Sequence, residues 1–110
     1  MNIQEITSKE LADKLKADTN DIFLLDVRED NEVDICSIDG ANHIAMSHIP
    51  LYLDRIPDDK IIVIYCHHGI RSVNVASFLI YNGFDEHLIY SLKQGIDGWA
   101  LTIDNTMNRY

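Results

Sequence analysis

The chain has 110 residues, 46% of them hydrophobic and 25% charged, with a formal net charge of −9. That length accommodates one domain with its own core, and the composition is ordinary for a soluble globular protein. The acidic balance argues against nucleic acid as a partner, because a phosphate-binding surface needs a basic stripe.

No apolar run approaches the roughly 20 residues that cross a membrane as a helix. The opening MNIQEITSKE lacks a basic n-region and an apolar h-region, so no secretory signal is expected and the cytoplasm is the default location. In that setting the two cysteines, Cys36 and Cys66, read as reduced thiols rather than a disulfide framework. There is no C-x-x-C, and His43, His48 and His87 have no ligand spacing, so no metal is expected.

In chain order, Thr7-Ser8-Lys9-Glu10 is a capping box. The helix it opens, over about Ser8 to Ala17, sets Leu11 and Leu15 on one face. Asp18 to Asp21 then supply turn formers. Ile22 to Leu25 is a continuous apolar run, the pattern of a parallel strand covered on both faces, and it ends in Asp26-Val27-Arg28-Glu29. Asp30 to Asp39 predicts a short acidic helix and a turn at Gly40. Ala41 to Ala45 predicts a short strand, and Ser47 to Ile56 a helix with Pro50 in its first turn.

The centre of the chain is Ile61 to Gly83, IIVIYCHHGIRSVNVASFLIYNG. Ile61 to Tyr65 form a strand that runs into Cys66, followed by a short loop and a helix over Arg71 to Asn82 that Gly83 closes in the left-handed conformation. The apolar positions of this helix, Val73, Ala76 and Ile80 beside Val75, Phe78 and Leu79, predict burial on more than one side. Leu88 to Tyr90 is a further strand, Gln94 to Leu101 a last helix anchored by Trp99, and Asp104 to Tyr110 a tail trailing over the surface. We expect one domain over 1–110, with a core of about 3–101 and a short tail over 102–110.

Strands alternating with helices through short connections predict an α/β domain, a mostly parallel central sheet with helices on both faces. In such sheets the site lies at the carboxyl ends of the strands, where Asp26 to Arg28 and Cys66 to Arg71 can face one another. A thiol between strand and helix meets the unpaired N–H groups and positive end of that helix. Arg71 adds a permanent cation. The chemistry implied is a cysteine thiolate that attacks or carries something anionic.

Five blocks carry a resemblance: Leu24-Leu25-Asp26-Val27-Arg28-Glu29, Ile38-Asp39-Gly40-Ala41, Tyr65-Cys66-His67-His68-Gly69-Ile70-Arg71-Ser72, Asn82-Gly83-Phe84 and Gly95-Ile96-Asp97-Gly98-Trp99. In this order they resemble the single-domain rhodanese-like sulfurtransferases, from about Ile3 to Trp99. The resemblance implies a rhodanese fold and transfer of sulfane sulfur through a persulfide on Cys66, with no other cofactor. It implies a small donor such as thiosulfate and a thiophilic acceptor, whether cyanide, a thiol or a partner protein. Cys66 is then the catalytic residue, and His67, His68, Gly69, Ile70, Arg71 and Ser72 form the loop that binds substrate and persulfide.

Within that loop, backbone N–H groups of His67 through Arg71 can curl into an anion-binding nest, and Gly69 permits the φ > 0 turn this needs. Asp26 and Arg28 read as a network bracing the loop. Arg71 is either substrate-facing or loop-shaping. Ser72 caps the helix or also touches the sulfur. Of His67 and His68, one is expected to face the pocket. Cys36 reads as a bystander.

Two departures stand out. Gln94-Gly95 occupies a turn where the family often has two glycines, and Ala45 stands where proline commonly follows. The alternatives are a cysteine phosphatase or arsenate reductase of the same fold, whose C-x5-R loop is one residue longer than C-x-x-G-x-R, and a rhodanese-fold binding module without turnover.

Overall fold

A computed structural model describes residues 2–17 and 21–110. The turn expected at Asp18 to Asp21 therefore lies, apart from Asp21, outside the described residues. The elements follow as β1 (Gln4–Ile6), α1 (Ser8–Ala17), β2 (Ile22–Asp26), α2 (Asp30–Ile35), β3 (Asn42–His43), β4 (Ile61–Tyr65), α3 (Ile70–Tyr81), β5 (Ile89–Leu92) and α4 (Gly95–Thr102). No helix among them is long and apolar enough to cross a membrane.

The five strands form one sheet in the order β1-β5-β4-β2-β3, every pair parallel. The expected parallel sheet is thus present, with β4 at its centre. Alternation along β4 divides the core. Ile62, Ile64 and Cys66 point into a cluster with Val75, Ala76 and Leu79 of α3. Val63 and Tyr65 point into a second cluster with Leu11 of α1 and Ile96 and Trp99 of α4. A strand covered on both faces has no polar side, which is why these runs are continuously apolar. Each fully buried Leu or Ile contributes about 2 kcal/mol of transfer free energy.

Local signals act as their chemistry requires. The Thr7 amide donates to Glu10 Oε1 at 3.0 Å and the Glu10 amide to Thr7 Oγ1 at 3.1 Å, closing the capping box. At the end of α3, Gly83 has φ +98°. Its amide bonds to the carbonyl of Ile80 and that of Phe84 to Leu79, both at 3.1 Å, a Schellman termination.

The differences from expectation have identifiable causes. The stretch expected as a helix over Ser47 to Ile56 is two 3₁₀ turns, Met46–Leu51 and Leu53–Arg55. Pro50 lacks an N–H and its ring opposes α-helical continuation, so i→i+3 bonds take over, such as His48 N to Ala45 O at 2.8 Å. The edge strands β1 and β3, three and two residues long, are too short to show a period; β1 was not expected. Helix α3 buries Ser72, Val75, Ala76 and Leu79 and packs Phe78 and Ile80 against the first cluster, leaving Ile70 and Tyr81 exposed. The tail runs over the surface as expected, but it is anchored there. Met107 packs against the second cluster, and Tyr110 reaches the loop after β4.

The Gln94-Gly95 turn is also settled. Gln94 takes the left-handed conformation itself, φ +64° and ψ +7°, as N-cap of α4. A side chain there costs roughly 1–2 kcal/mol, only part of which a glycine's greater freedom in the unfolded chain would cancel. Gln94→Gly is therefore expected to raise stability by roughly 0.5 kcal/mol or more, read as a higher urea midpoint with an unchanged slope. A lower midpoint would mean that the Gln94 side chain contributes more than its backbone costs.

Candidate active site

Cys66 follows directly on β4, at the carboxyl edge of the sheet, and is buried. Gly69, with φ +107°, turns the chain so that α3 starts over the thiol. The Gly69 amide donates to Cys66 Sγ at 3.1 Å and the Ser72 amide at 3.4 Å. The sulfur thereby does the work of an N-cap side chain, which glycine cannot supply. The amides of Ile70 and Arg71, first in the helix, have no intrahelical acceptor either. Of the nest expected from His67 through Arg71, only the Gly69 bond meets the sulfur, and Ser72 provides the second donor.

Ser72 is a direct neighbour of the sulfur. The thiol donates to Ser72 Oγ at 3.6 Å, while that hydroxyl donates to the Gly69 carbonyl at 3.1 Å. Ser72 has one hydroxyl proton, so in its 2.7 Å contact with Ser91 Oγ it is Ser91 that donates. Ser91, fully buried on β5, was not singled out from the sequence.

A second helix start holds the loop from the other side. The amides of Ile96 and Asp97, in the first turn of α4, donate to the carbonyls of Cys66 at 2.9 Å and His67 at 3.2 Å. The approach is so close that a Cβ on Gly95 would lie 2.4 Å from the His67 carbonyl oxygen. Only glycine fits there.

Arg71 does not point freely at the sulfur. It forms a bidentate pair with Glu32 of α2, at 2.6 and 2.9 Å. Chiefly through those bonds the Glu32 carboxyl falls to about 2, and Arg71 is correspondingly held charged. Glu32 also accepts the Glu29 amide at 3.1 Å and the Tyr110 hydroxyl at 2.7 Å. Arg71 thus shapes the loop by docking it on α2.

Asp26 and Arg28 brace α2 in turn. Arg28 is fully buried, and all five guanidinium N–H groups are used. Nε and Nη2 clamp Asp26 at 3.0 and 2.7 Å, and Nη2 also donates to the Cys36 carbonyl at 2.7 Å. Nη1 donates to the Glu32 carbonyl at 3.2 Å and to the Tyr110 hydroxyl at 3.1 Å. Their influence on the cysteine loop runs through α2, Glu32 and Arg71. A direct link also exists, as the Val27 amide bonds to the Tyr65 carbonyl at 3.1 Å.

The two loop histidines stack on each other with centroids 3.8 Å apart. His67 is the inner one, covered by Tyr110 at 3.8 Å and 11°. Burial, and then the neighbouring His68, lower its imidazole below the ordinary 6.5. His68 and Ile70 are exposed. Cys36 packs with the second core cluster and Cys66 with the first, on opposite faces of the sheet.

The match to a known family covers this arrangement apart from Tyr110: the model of the rhodanese-like domain fits residues 7–102. The chain belongs to the rhodanese-like family. It is 36% identical over 98 residues to a sulfurtransferase of Allochromatium vinosum, covering 89% of either chain. It is 35% identical over 79 residues to the thiosulfate sulfurtransferase GlpE of Coxiella burnetii, covering 72% of either chain. A crystal structure of a rhodanese-like domain protein from Staphylococcus aureus superimposes with a TM-score of 0.82 at 30% identity, over 97% of this chain and 98% of that one. The resemblance read from the five sequence blocks is borne out.

Glu32 and Tyr110, like Ser91, are site residues that sequence reasoning did not find. Glu32 lies in an acidic run that reads as solvated surface, and Tyr110 lies in the tail. The depressed Glu32 carboxyl carries a pH signature. Its folded value of about 2 lies below the ordinary 4.5, so its contribution is complete above that ordinary value and is lost as pH falls toward the folded one. The stability difference between the wild type and Glu32→Gln should be largest at neutral pH and shrink as pH is lowered toward 3, by urea unfolding. A difference that stays constant would show that the ionised carboxylate is not what docks Arg71.

Proposed function

We propose that the chain is a sulfurtransferase that carries sulfane sulfur as a persulfide on Cys66. The observation that carries this reading is the buried sulfur at the start of α3, facing the Gly69 and Ser72 amides. Hydrogen bonds from N–H groups to an anionic sulfur are charge-assisted and stronger than those to a neutral one. The names of the relatives, sulfurtransferase and thiosulfate sulfurtransferase, support it.

In the proposed reaction the Cys66 thiolate attacks the outer sulfur of thiosulfate. A new S–S bond forms, the old one breaks, and sulfite leaves with its electron pair. The persulfide anion on Cys66 then has the unpaired amides of Ile70 and Arg71 within its loop. Ser72 can rotate its hydroxyl proton from the Gly69 carbonyl toward the charged sulfur. A thiolate or cyanide attacks the terminal sulfur and restores the Cys66 thiolate. No further cofactor enters this scheme.

The loop favours sulfur over a phosphate-like oxyanion. It is one residue shorter than C-x5-R, and its arginine is committed to Glu32 on both sides of the guanidinium fork. A phosphoryl group bonded to Cys66 would need Arg71 drawn away from Glu32, whereas a persulfide leaves only one sulfur atom in the loop. We place the protein in the cytoplasm, where both thiols stay reduced, with a small sulfur donor, a thiol or protein acceptor, and neither nucleic acid nor membrane as partner.

The test is intact mass after incubation with thiosulfate, with Cys66→Ala and Cys36→Ser beside the wild type. The wild type and Cys36→Ser are expected to gain one sulfur atom that a thiol removes, and Cys66→Ala to gain none while remaining folded. An adduct that persists in Cys66→Ala would reject Cys66 as the carrier. No adduct in any of them would reject thiosulfate as the donor.

A further inference from the structure

Cys66 is only 1% exposed, yet a donor and then an acceptor must reach its sulfur. The cleft of about 220 Å³ beside the loop is lined by His68, Gln94, Asp97, Gly98 and Leu101, and Cys66 is not among its walls. Something has to move. The cysteine loop is a poor candidate, being bonded to α3 through Sγ and to α4 through the carbonyls of Cys66 and His67.

The segment over 103–110 is held differently. Its apolar anchor is Met107 in the second core cluster. Beyond Met107, Arg109 pairs with Asp97 at 2.9 Å through a half-exposed side chain, a contact that water and salt weaken. Tyr110, itself 38% exposed, lays its ring on His67, the residue after Cys66. Its hydroxyl joins Glu32 to Arg28. Each of those two keeps other partners if Tyr110 leaves: Glu32 keeps Arg71 and the Glu29 amide, and Arg28 keeps Asp26 and two carbonyls. Lifting the segment therefore strands no buried charge.

We propose that residues 108–110 are a strap that gates Cys66, hinged at Met107 and latched by Tyr110 on His67. This rests on Cys66 being the reactive thiol of the proposed sulfurtransferase. With the latch closed, the thiol or its persulfide is withheld from small thiols and oxidants in solution. A donor or acceptor that displaces Tyr110 from the His67 ring gains the sulfur. Asp97 lines the cleft beside the loop and also anchors Arg109, so the strap borders that cleft.

The test is alkylation of Cys66 in the 110-residue chain, in a Cys36→Ser background, followed by intact mass with iodoacetamide and with the bulkier N-ethylmaleimide. Tyr110→Ala is expected to label at least tenfold faster than its parent, with the larger gain for the bulkier reagent. Tyr110→Phe, which keeps the ring and loses the hydroxyl bonds, should fall between. Arg109→Ala should also label faster, and high salt should speed the parent. Equal rates in the parent and Tyr110→Ala would overturn the gate. So would an equal gain for both reagents, which would mean altered thiol reactivity, or a gain matched by a lowered urea midpoint, which would mean unfolding. Alkylation needs no sulfur donor, so faster labelling in a protein that takes no sulfur from thiosulfate keeps the strap and rejects that donor.

Discussion

A sulfur atom that is to bear negative charge inside a protein needs donors around it, and a strand running into a helix is an economical source of them. The end of β4 places Cys66 under the start of α3, where the first amides lack acceptors along the helix. The sulfur takes two of them. Gly69 is required because the chain must turn at φ +107° to bring the helix over the thiol. From this one juxtaposition follow the short loop, the burial of Cys66 on the α3 face and the need for a second support on the other side. That support is α4, whose first amides hold the backbone carbonyls of Cys66 and His67. The loop is suspended between two helix starts, one serving its sulfur and one its backbone.

Charge is managed at a distance from the sulfur. Arg71 brings a cation to the loop, but Glu32 takes it up in a bidentate pair. What remains to favour an anion is the set of backbone dipoles, which are fixed and need no reorganisation. Glu32 can be placed so closely because α2 is fastened by Arg28, and Arg28 can be buried because Asp26 neutralises it and backbone carbonyls and the Tyr110 hydroxyl take its other N–H groups. A buried charge pair of this kind contributes little net stability, yet is costly to break. Its consequence here is positional: it ties β2, α2 and the cysteine loop into one rigid corner.

Much of this was legible in the sequence, and for physical reasons. Continuous apolar strands, the Thr7 capping box, Gly83 closing α3 and a cysteine between strand and helix are local signals, each written within a few residues. A parallel sheet puts the carboxyl ends of its strands along one edge, so the facing of Asp26 to Arg28 and Cys66 to Arg71 could be expected as well. What could not be read depends on contacts between distant positions. Glu32 meets Arg71 across 39 residues and Tyr110 meets Glu32 across 78. An exposed-looking glutamate in an acidic run carries no mark of such a partner. The two left-handed residues at the start of α4 show the same limit: Gln94 adopts a conformation its side chain disfavours, because α4 must start close enough to donate to Cys66 and His67.

The tail is where these considerations meet. A segment that simply ended the domain would gain little by stacking an aromatic ring on a loop histidine while bonding both the carboxylate that docks Arg71 and the arginine that braces it. Tyr110 touches Arg28, Glu32 and His67 at once, yet it is the least buried of them, and Glu32 and Arg28 each keep their charged partner without it. Such a contact adds little to the stability of the folded chain, since its partners lose no buried charge when it leaves. It does bias which arrangement of the loop's surroundings is populated. A rigid anion-binding loop beneath a weakly held aromatic cover keeps its donors organised whether the cover is on or off. Access can then vary without any change in the geometry that stabilises the sulfur.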